Sequence, residues 1–588
     1  MATVGSSYAD SSLFYHRASA QNVLSQPAAA FNNPPGVETW CGKAYLPTNA
    51  SFPPGGWLDE PTPSSEPLLD LRIRPRMNLY TADDQWGSFT VDAGLSFFNG
   101  QPYYNSTYDQ GNNVYKPFDT LFIDISDADT GLDLVSGANV SVNSTANEFT
   151  FSLARLPPQF YPYNISITGA SQDGNQSYIA QTQLYRLPAR TDGGSVTKLD
   201  SLYGGMLVQD YTNANSSTSW TPLFPYSFYV SWDGYFDNAP QNVQKFKDQG
   251  YNIVHVVPDA NLPNEAFNFT QFNQFLDACD EVGLWVMYDM RWTYLNLTSV
   301  EEQVNMLKAR KSMLLWYTGD EPDGHGDPLN ATRLAYDLIK SLDPWHPVSL
   351  CLNCYNFYYA DYSSGADILL SDVYPIAVNT SWSVTYGTVC NTTYGCCGCD
   401  DCQGNFEDIS TRLDLFAQYQ DWIGGPPKTL WGVPQAFGNE SFWTRYPTAD
   451  EEVTMTLLSI NHNAKGIVMW SYPTEPDLEA VTSSLSKVLA APEVAGFLLG
   501  APTTPLKTAG ANRIDAAGWQ VGKQMLVSIL NLEYIDLDAQ VTVSLPVQAT
   551  SVSQVLWGAA GWTVSEEGNL VKNGLQGLEA DFLVVGLE

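Results

Sequence analysis

The sequence predicts a multidomain α/β plus all-β chain: an N-terminal immunoglobulin-like β-sandwich, a central (β/α)8 TIM barrel and a small C-terminal β-sandwich. Three observations predict it. The chain has 588 residues, 44% hydrophobic and 13% aromatic, too long for one core and apolar enough to bury several. Short runs of period two recur between turn residues before Arg190 and after Gly500. Between them, eight buried-looking strand runs alternate with amphipathic segments over about 275 residues, the length of a (β/α)8 barrel.

Residues 1–65 are rich in Pro, Gly and Asn (NNPPG, FPPGGW, PTPSSEP) and read as an irregular strap held by at most one or two strands. Residues 66–200 form the first sandwich, with alternating runs such as LDLRIRP, GSFTVDAGLSF, TLFIDISD and NEFTFSLARL. Residues 191–220 (DGGS, NANSSTS) read as a connector. The barrel spans 221–500. Its strands are SFYVSWDGY, NIVHVVPDA, LWVMYDMRW, LLWYTGDEP, HPVSLCLNCY, DILLSDVYP, KTLWGVPQAF and GIVMWSYP; its fifth helix, near Ala360, is weak. Residues 501–588 return to strand runs, AQVTVSLP and EADFLVVGLE among them.

Charge narrows the partners. There are 27 Lys+Arg against 63 Asp+Glu, a net charge of −36 and a pI near 4.2. Such a surface repels phosphate backbones and anionic lipids, so nucleic-acid and membrane partners are not expected. Thirteen N-x-S/T sequons (Asn49, Asn105, Asn139, Asn143, Asn164, Asn175, Asn215, Asn268, Asn296, Asn330, Asn379, Asn391, Asn439) point to N-linked glycans and a secreted, extracellular protein. The opening MATVGSSYAD has neither a basic nor an apolar leader segment, and is read as a start Met in place of the natural signal peptide. No apolar run approaches the ~20 residues of a membrane span. Of nine cysteines, five crowd into CNTTYGCCGCDDC (Cys390, Cys396, Cys397, Cys399, Cys402), which reads as a disulfide-knotted loop; a zinc site is the rival, but no His lies there. Nine is odd, so at least one thiol is free or pairs between chains.

Barrel chemistry sits at the strand C-termini. The strands deliver Trp232 and Asp233; Asp289, Arg291 and Trp292; Asp320 and Glu321; Asn353; Asp372 and Tyr374; Gln435 and, further on, Glu440; and Trp470, Tyr472 and Glu475. A cleft of acids, amides and Trp/Tyr rings suits a neutral polyhydroxylated ligand, the rings covering C–H faces and the polar groups taking hydroxyls. Asp320 would bond substrate or raise its neighbour's pKa. Arg291 would bind an acidic sugar or pair with Asp289 or Asp320. There is no dinucleotide or Walker loop, no histidine cluster and no G-x-S-x-G elbow, so no cofactor or metal and no esterase chemistry is expected.

The stretch LLWYTGDEPDG, Leu314–Gly324, ends a buried strand in Asp320–Glu321 before Pro322. With the sandwich–barrel–sandwich order, it resembles the clan-A glycoside hydrolases, and secreted fungal proteins with a glycoside-hydrolase catalytic core. The resemblance implies a glycosidase acting on cell-wall oligo- or polysaccharide, with Glu321 as general acid. The chain departs from that pattern where the family places its nucleophile, a Glu ending strand seven: here that place holds Gln435, and an amide neither forms the glycosyl ester nor acts as a base. Three readings stay open. Glu440 folds back into the site; Asp372 or Glu475 serves as partner carboxylate, Asp372 preferred because it ends the apolar run DILLSD; or the protein binds sugar without cleaving it.

Overall fold

The computed structural model describes residues 34–48, 52–109, 114–209, 220–237, 240–259 and 267–588. Residues 1–33, most of the connector tip and the sequons at Asn49 and Asn215 lie outside them. Two burial rhythms divide the chain. Leu68–Pro75 alternates half-buried and buried along its length, whereas Ile253–Val257, Trp285–Asp289 and Val348–Leu352 are buried at every position. The first rhythm belongs to sheets with one wet face, the second to a parallel sheet covered on both.

Two four-stranded antiparallel sheets pack face to face between Leu68 and Leu184, with Phe89 and Val91 of one sheet against Leu121, Ile123, Ile165 and Ile167 of the other. The connector is more ordered than its composition suggests: Thr197–Leu199, Met206–Gln209 and Trp220–Leu223 form a three-stranded antiparallel sheet. It is tied to the barrel through Ser195. The Ser195 Oγ donates to the Met313 carbonyl and lies 3.0 Å from His346 Nε2, while His346 Nδ1 lies 2.6 Å from Asp343. These are the residue types of a nucleophilic triad. However, the hydroxyl proton is committed to a carbonyl and all three side chains are buried, so the constellation is a structural joint at the N-terminal end of a barrel strand.

Eight parallel strands close the barrel: strand one Tyr226–Ser231, two Ile253–Val257, three Trp285–Asp289, four Met313–Asp320, five Val348–Leu352, six Ile368–Ser371, seven Thr429–Gly432 and eight Ile467–Tyr472. Side chains cap three of the helices around the barrel. The Asn268 side chain accepts from Thr270 N–H, Gly283 ends the same helix in the left-handed conformation, and Thr448 with Glu451 makes a reciprocal capping box. The fifth helix is a single short turn, Tyr359–Ser363. Nearby, a Cβ on Gly365 would come within 2.3 Å of the Thr332 backbone, so only glycine fits this approach. No helix among the described residues is long and apolar enough to cross a membrane.

Beyond the barrel, a five-stranded and a four-stranded antiparallel sheet enclose the last core between Thr504 and Leu587. His462 bridges the two bodies, 2.9 Å from Asp414 of the barrel and 3.1 Å from Asp515 of the C-terminal sheet. Burial works against its charge, but the two aspartates outweigh burial and push its pKa up from 6.5 to about 9. A raised folded-state pKa contributes stability that is fully present below pH 6.5 and is lost as pH rises through about 9. His462→Gln is therefore expected to flatten the decline in melting temperature across that window. A slope equal to that of the wild type would refute this account of the joint.

Candidate active site

A cavity of about 330 Å3 opens at the C-terminal ends of the barrel strands. Glu321 is among the residues that line it. Strand four pairs with strand five as far as Asp320–Cys351, and the Glu321 N–H still donates to the Cys351 carbonyl at 3.1 Å. The chain then reverses into the helical turn starting at Pro322. Glu321 takes φ 49° and ψ 48° to make that turn. A left-handed backbone costs a non-glycine residue about 1–2 kcal/mol. Glycine would relieve that strain but carry no carboxyl group, so the acid stands where the local geometry disfavours it.

Asp372, directly after strand six, is hydrogen-bonded to Glu321. Burial, then the charge of Asp372, then Asp320 and Asp323 push the Glu321 carboxyl well above the usual range. Burial also raises Asp372, to about 6, although the bonds from Glu321 and Asn353 favour its ionised form. Asn353 Nδ2 donates to Asp372 Oδ1 at 3.3 Å. Two adjoining carboxyls cannot both ionise cheaply, which favours a protonated Glu321 beside Asp372. Asp323, two residues on, is pushed up to about 7 by burial, although it accepts backbone N–H groups from Cys354 and Asn353. It fixes the loop that presents Asn353.

Asp320 belongs to a second network. Arg291 Nη1 donates to it at 2.6 Å, and Tyr317 OH donates at 2.5 Å. Arg291 Nε and N–H both donate to Asp289 at 2.7 Å, and His255 Nε2 lies 2.8 Å from the same carboxylate. Burial opposes ionisation of Asp289, but Arg291 and His255 overcome it and hold the group below its usual value. The guanidinium also lies against the Tyr229 and Trp470 rings, 5.4 Å from each centroid. Of the two roles open to Arg291, the structure shows the pairing one.

Nine of the expected residues line one cavity: Arg291, Trp292, Asp320, Glu321, Asn353, Asp372, Tyr374, Glu440 and Trp470. Six do not. Asp289 is fully buried as the counter-charge of Arg291. Trp232 points outward from the barrel onto Phe267, Phe272 and Phe275. An indole buried there contributes about 4–6 kcal/mol at most, more than a rim position would return. Tyr472 packs against Phe228, Tyr235 and Phe246 in the same shell. Asp233 is exposed on the turn after strand one. Glu475 stands at the N-terminal cap of helix Pro476–Leu489, outside the cavity. Gln435 is buried: its Oε1 accepts from Ile376 N–H at 3.1 Å and its Nε2 donates to the Ile376 and Phe437 carbonyls at 3.2 Å, stitching the loops after strands six and seven.

The sequence reading missed the contribution of the strap. Glu38, Thr39, Trp40 and Tyr45 line the cavity, as do Tyr229, Tyr386 and Phe437. The only signal in the strap was its single cysteine: Cys41 bonds Cys354, 313 residues away. The knotted loop holds Cys390–Cys397 and Cys399–Cys402, and the thiols of Cys279, Cys351 and Cys396 remain free and buried. Cys41, Cys354 and Asp400 cluster closely enough for a metal, but the two sulfurs are bonded to each other.

No protein-family model matches the chain, and no curated protein matches it. Among solved structures it is similar to a family 39 glycoside hydrolase from the gut symbiont Bacteroides cellulosilyticus WH2, at 12% identity over 88% of this chain and 100% of that one, with a TM-score of 0.40. A maltogenic α-amylase from Thermotoga neapolitana matches at 11% identity over 62% of this chain and 99% of that one, TM-score 0.41. A β-glucuronidase from Ruminococcus gnavus in complex with D-glucuronic acid matches at 11% identity over 72% and 68%, TM-score 0.33.

Proposed function

We propose that this protein is a secreted glycoside hydrolase that cleaves glycosidic bonds of cell-wall oligo- or polysaccharide, with Glu321 as the proton donor. The observation that carries the reading is that the adjoining carboxyls Glu321 and Asp372 line one aromatic, acid-lined cavity. Protonating a glycosidic oxygen at ordinary pH needs a carboxyl group that keeps its proton, and Asp372 provides that condition for Glu321. Trp292, Trp470 and Tyr374 offer rings for sugar faces, and Asn353 and Asp320 offer groups for hydroxyls.

A carboxyl hydrogen-bonded to Glu321 is engaged with the proton donor itself, whereas the two members of a retaining or inverting pair flank the scissile bond at ~5–5.5 Å or ~6.5–9.5 Å. Asp372 therefore sets the protonation of Glu321 rather than attacking the sugar. Of the other cavity carboxylates, Asp320 is paired with Arg291, and Glu38 is exposed at the rim, accepting from Tyr386 OH at 2.7 Å. That leaves Glu440, from the loop after strand seven, as the second reacting carboxylate. Export agrees with three disulfides, and with ten of the eleven described sequon asparagines being exposed; Asn296, which caps a helix, is half-buried.

The test is hydrolysis by the purified protein of a panel of 4-nitrophenyl glycosides and soluble wall polysaccharides. Release of nitrophenol and of new reducing ends is the expected result. Sugar binding in the cavity with no hydrolysis anywhere in the panel would favour the reading in which Gln435 marks a carbohydrate-binding protein.

A further inference from the structure

The strap changes what the cavity can admit. Residues 34–48 run across the barrel mouth from the loops after strands four and five to the Cys-rich loop after strand six. On one side, Trp40 Nε1 donates to Asn353 Oδ1 at 2.9 Å, its ring meets His325 edge-on at 4.8 Å, and the adjacent Cys41 is bonded to Cys354. Gly324 makes the fit: a Cβ there would lie 2.4 Å from the Trp40 ring. On the other side, Lys43 is buried between Asp400 at 2.6 Å and Asp401 at 2.8 Å. The Tyr45 ring stacks on Tyr386 at 3.8 Å. Both ends are anchored by buried bonds, so the strap is a fixed wall of the cavity.

A groove that binds the middle of a polysaccharide needs a gap in the ring of loops at both ends. Here the cavity is walled by residues from strand one, from the ends of strands three to eight, and from the strap. Its volume of about 330 Å3 lies at the small end of the range for small-molecule sites, ~300–1,000 Å3, suited to a terminal sugar rather than a run of them. Trp40 is also two hydrogen bonds from Asp372, with Asn353 between them.

We infer that the disulfide-pinned strap restricts this enzyme to chain ends, so that it releases single terminal sugars, and that Trp40 is a specificity-determining residue holding the terminal ring. The inference rests on the hydrolase reading above. In the cleavage, the glycosidic C–O bond breaks as Glu321 gives its proton to the departing oxygen, water supplies a hydroxyl to the anomeric carbon and a proton that restores the carboxyls, and no redox partner is needed.

The experiment follows products from the polysaccharides of the same panel at early times, with solution viscosity recorded alongside, for wild type, Trp40→Ala and Trp40→Phe. Wild type is expected to release single sugars from the first time point with little fall in viscosity. Trp40→Ala is expected to raise KM for the matching 4-nitrophenyl monoglycoside about tenfold. Trp40→Phe, which keeps the ring and the wall, should restore most of that loss and serves as the informative variant if Trp40→Ala does not fold. Mixed oligosaccharides and a rapid viscosity fall from wild type would overturn the inference while leaving the hydrolase reading intact. An unchanged KM in Trp40→Ala would overturn the role of Trp40. No cleavage of any substrate by wild type would overturn the hydrolase reading and this inference with it.

Discussion

Glu321→Gln is expected to lower kcat on an unactivated glycosidic bond by about 10³-fold, within the range that a positioned general acid contributes. The substitution is close to isosteric and replaces a carboxyl that already carries its proton, so the fold should be nearly unaffected. The signature of an acid lies in the leaving group. An alkoxide leaving from a polysaccharide must be protonated as it departs, whereas nitrophenolate leaves without help. The variant should therefore lose much more activity on natural substrate than on a 4-nitrophenyl glycoside. Equal losses on both would mean that Glu321 acts by holding substrate or structure, and the role given to it here would fail.

Arg291→Met is expected to destabilise the protein by about 3–5 kcal/mol, the usual consequence of leaving buried charges without their partner. Arg291 is 2% exposed and is the only cation in direct contact with both Asp289 and Asp320 among the described residues. Removing it leaves Asp289, fully buried, with the backbone N–H of residue 291 and with His255. That imidazole is itself pushed below its usual pKa, chiefly by burial, so it is poorly placed to supply the missing positive charge. Chemical denaturation of wild type and variant, followed by intrinsic fluorescence, measures the difference. A loss below ~1 kcal/mol would show that the network is dispensable and that Arg291 is better regarded as a ligand-binding group.

The fold was legible because its two burial rhythms are written directly in residue order. Runs such as TLFIDISD alternate, while IVHVV and VSLCL do not, and a strand covered on both faces has no reason to alternate. Short elements escaped. The pairs Thr504–Pro505 and Thr563–Val564 have too few residues to show any period, and the three-stranded connector sheet is built from a Gly- and Ser-rich segment whose local signals are those of a loop.

The site was legible along each strand but not around it. Position at a strand end located Asp320, Glu321 and Asp372, because each lies within a few residues of the end of an apolar run, LLWY or ILL. It could not say which way a side chain turns after the last paired residue. Trp232 and Tyr472 turn outward because a large apolar shell lies between barrel and helices, and Gln435 turns into a backbone gap that an amide fills with a donor and an acceptor. The strap was illegible for a different reason. Trp40 reaches the cavity through a contact with Asn353, 313 positions away, and nothing in a Pro- and Gly-rich segment encodes its destination except the cysteine beside it.

The central claim is that Asp372 keeps the proton on Glu321. The most direct measurement is the pH dependence of kcat/KM for Asp372→Asn against wild type. In wild type Glu321 must carry its proton to act, so activity should fall at higher pH as Glu321 loses it. With asparagine at 372, the repulsion that raises Glu321 is gone. The alkaline limb is then expected to move to lower pH. An alkaline limb at the same pH in both proteins would contradict the account.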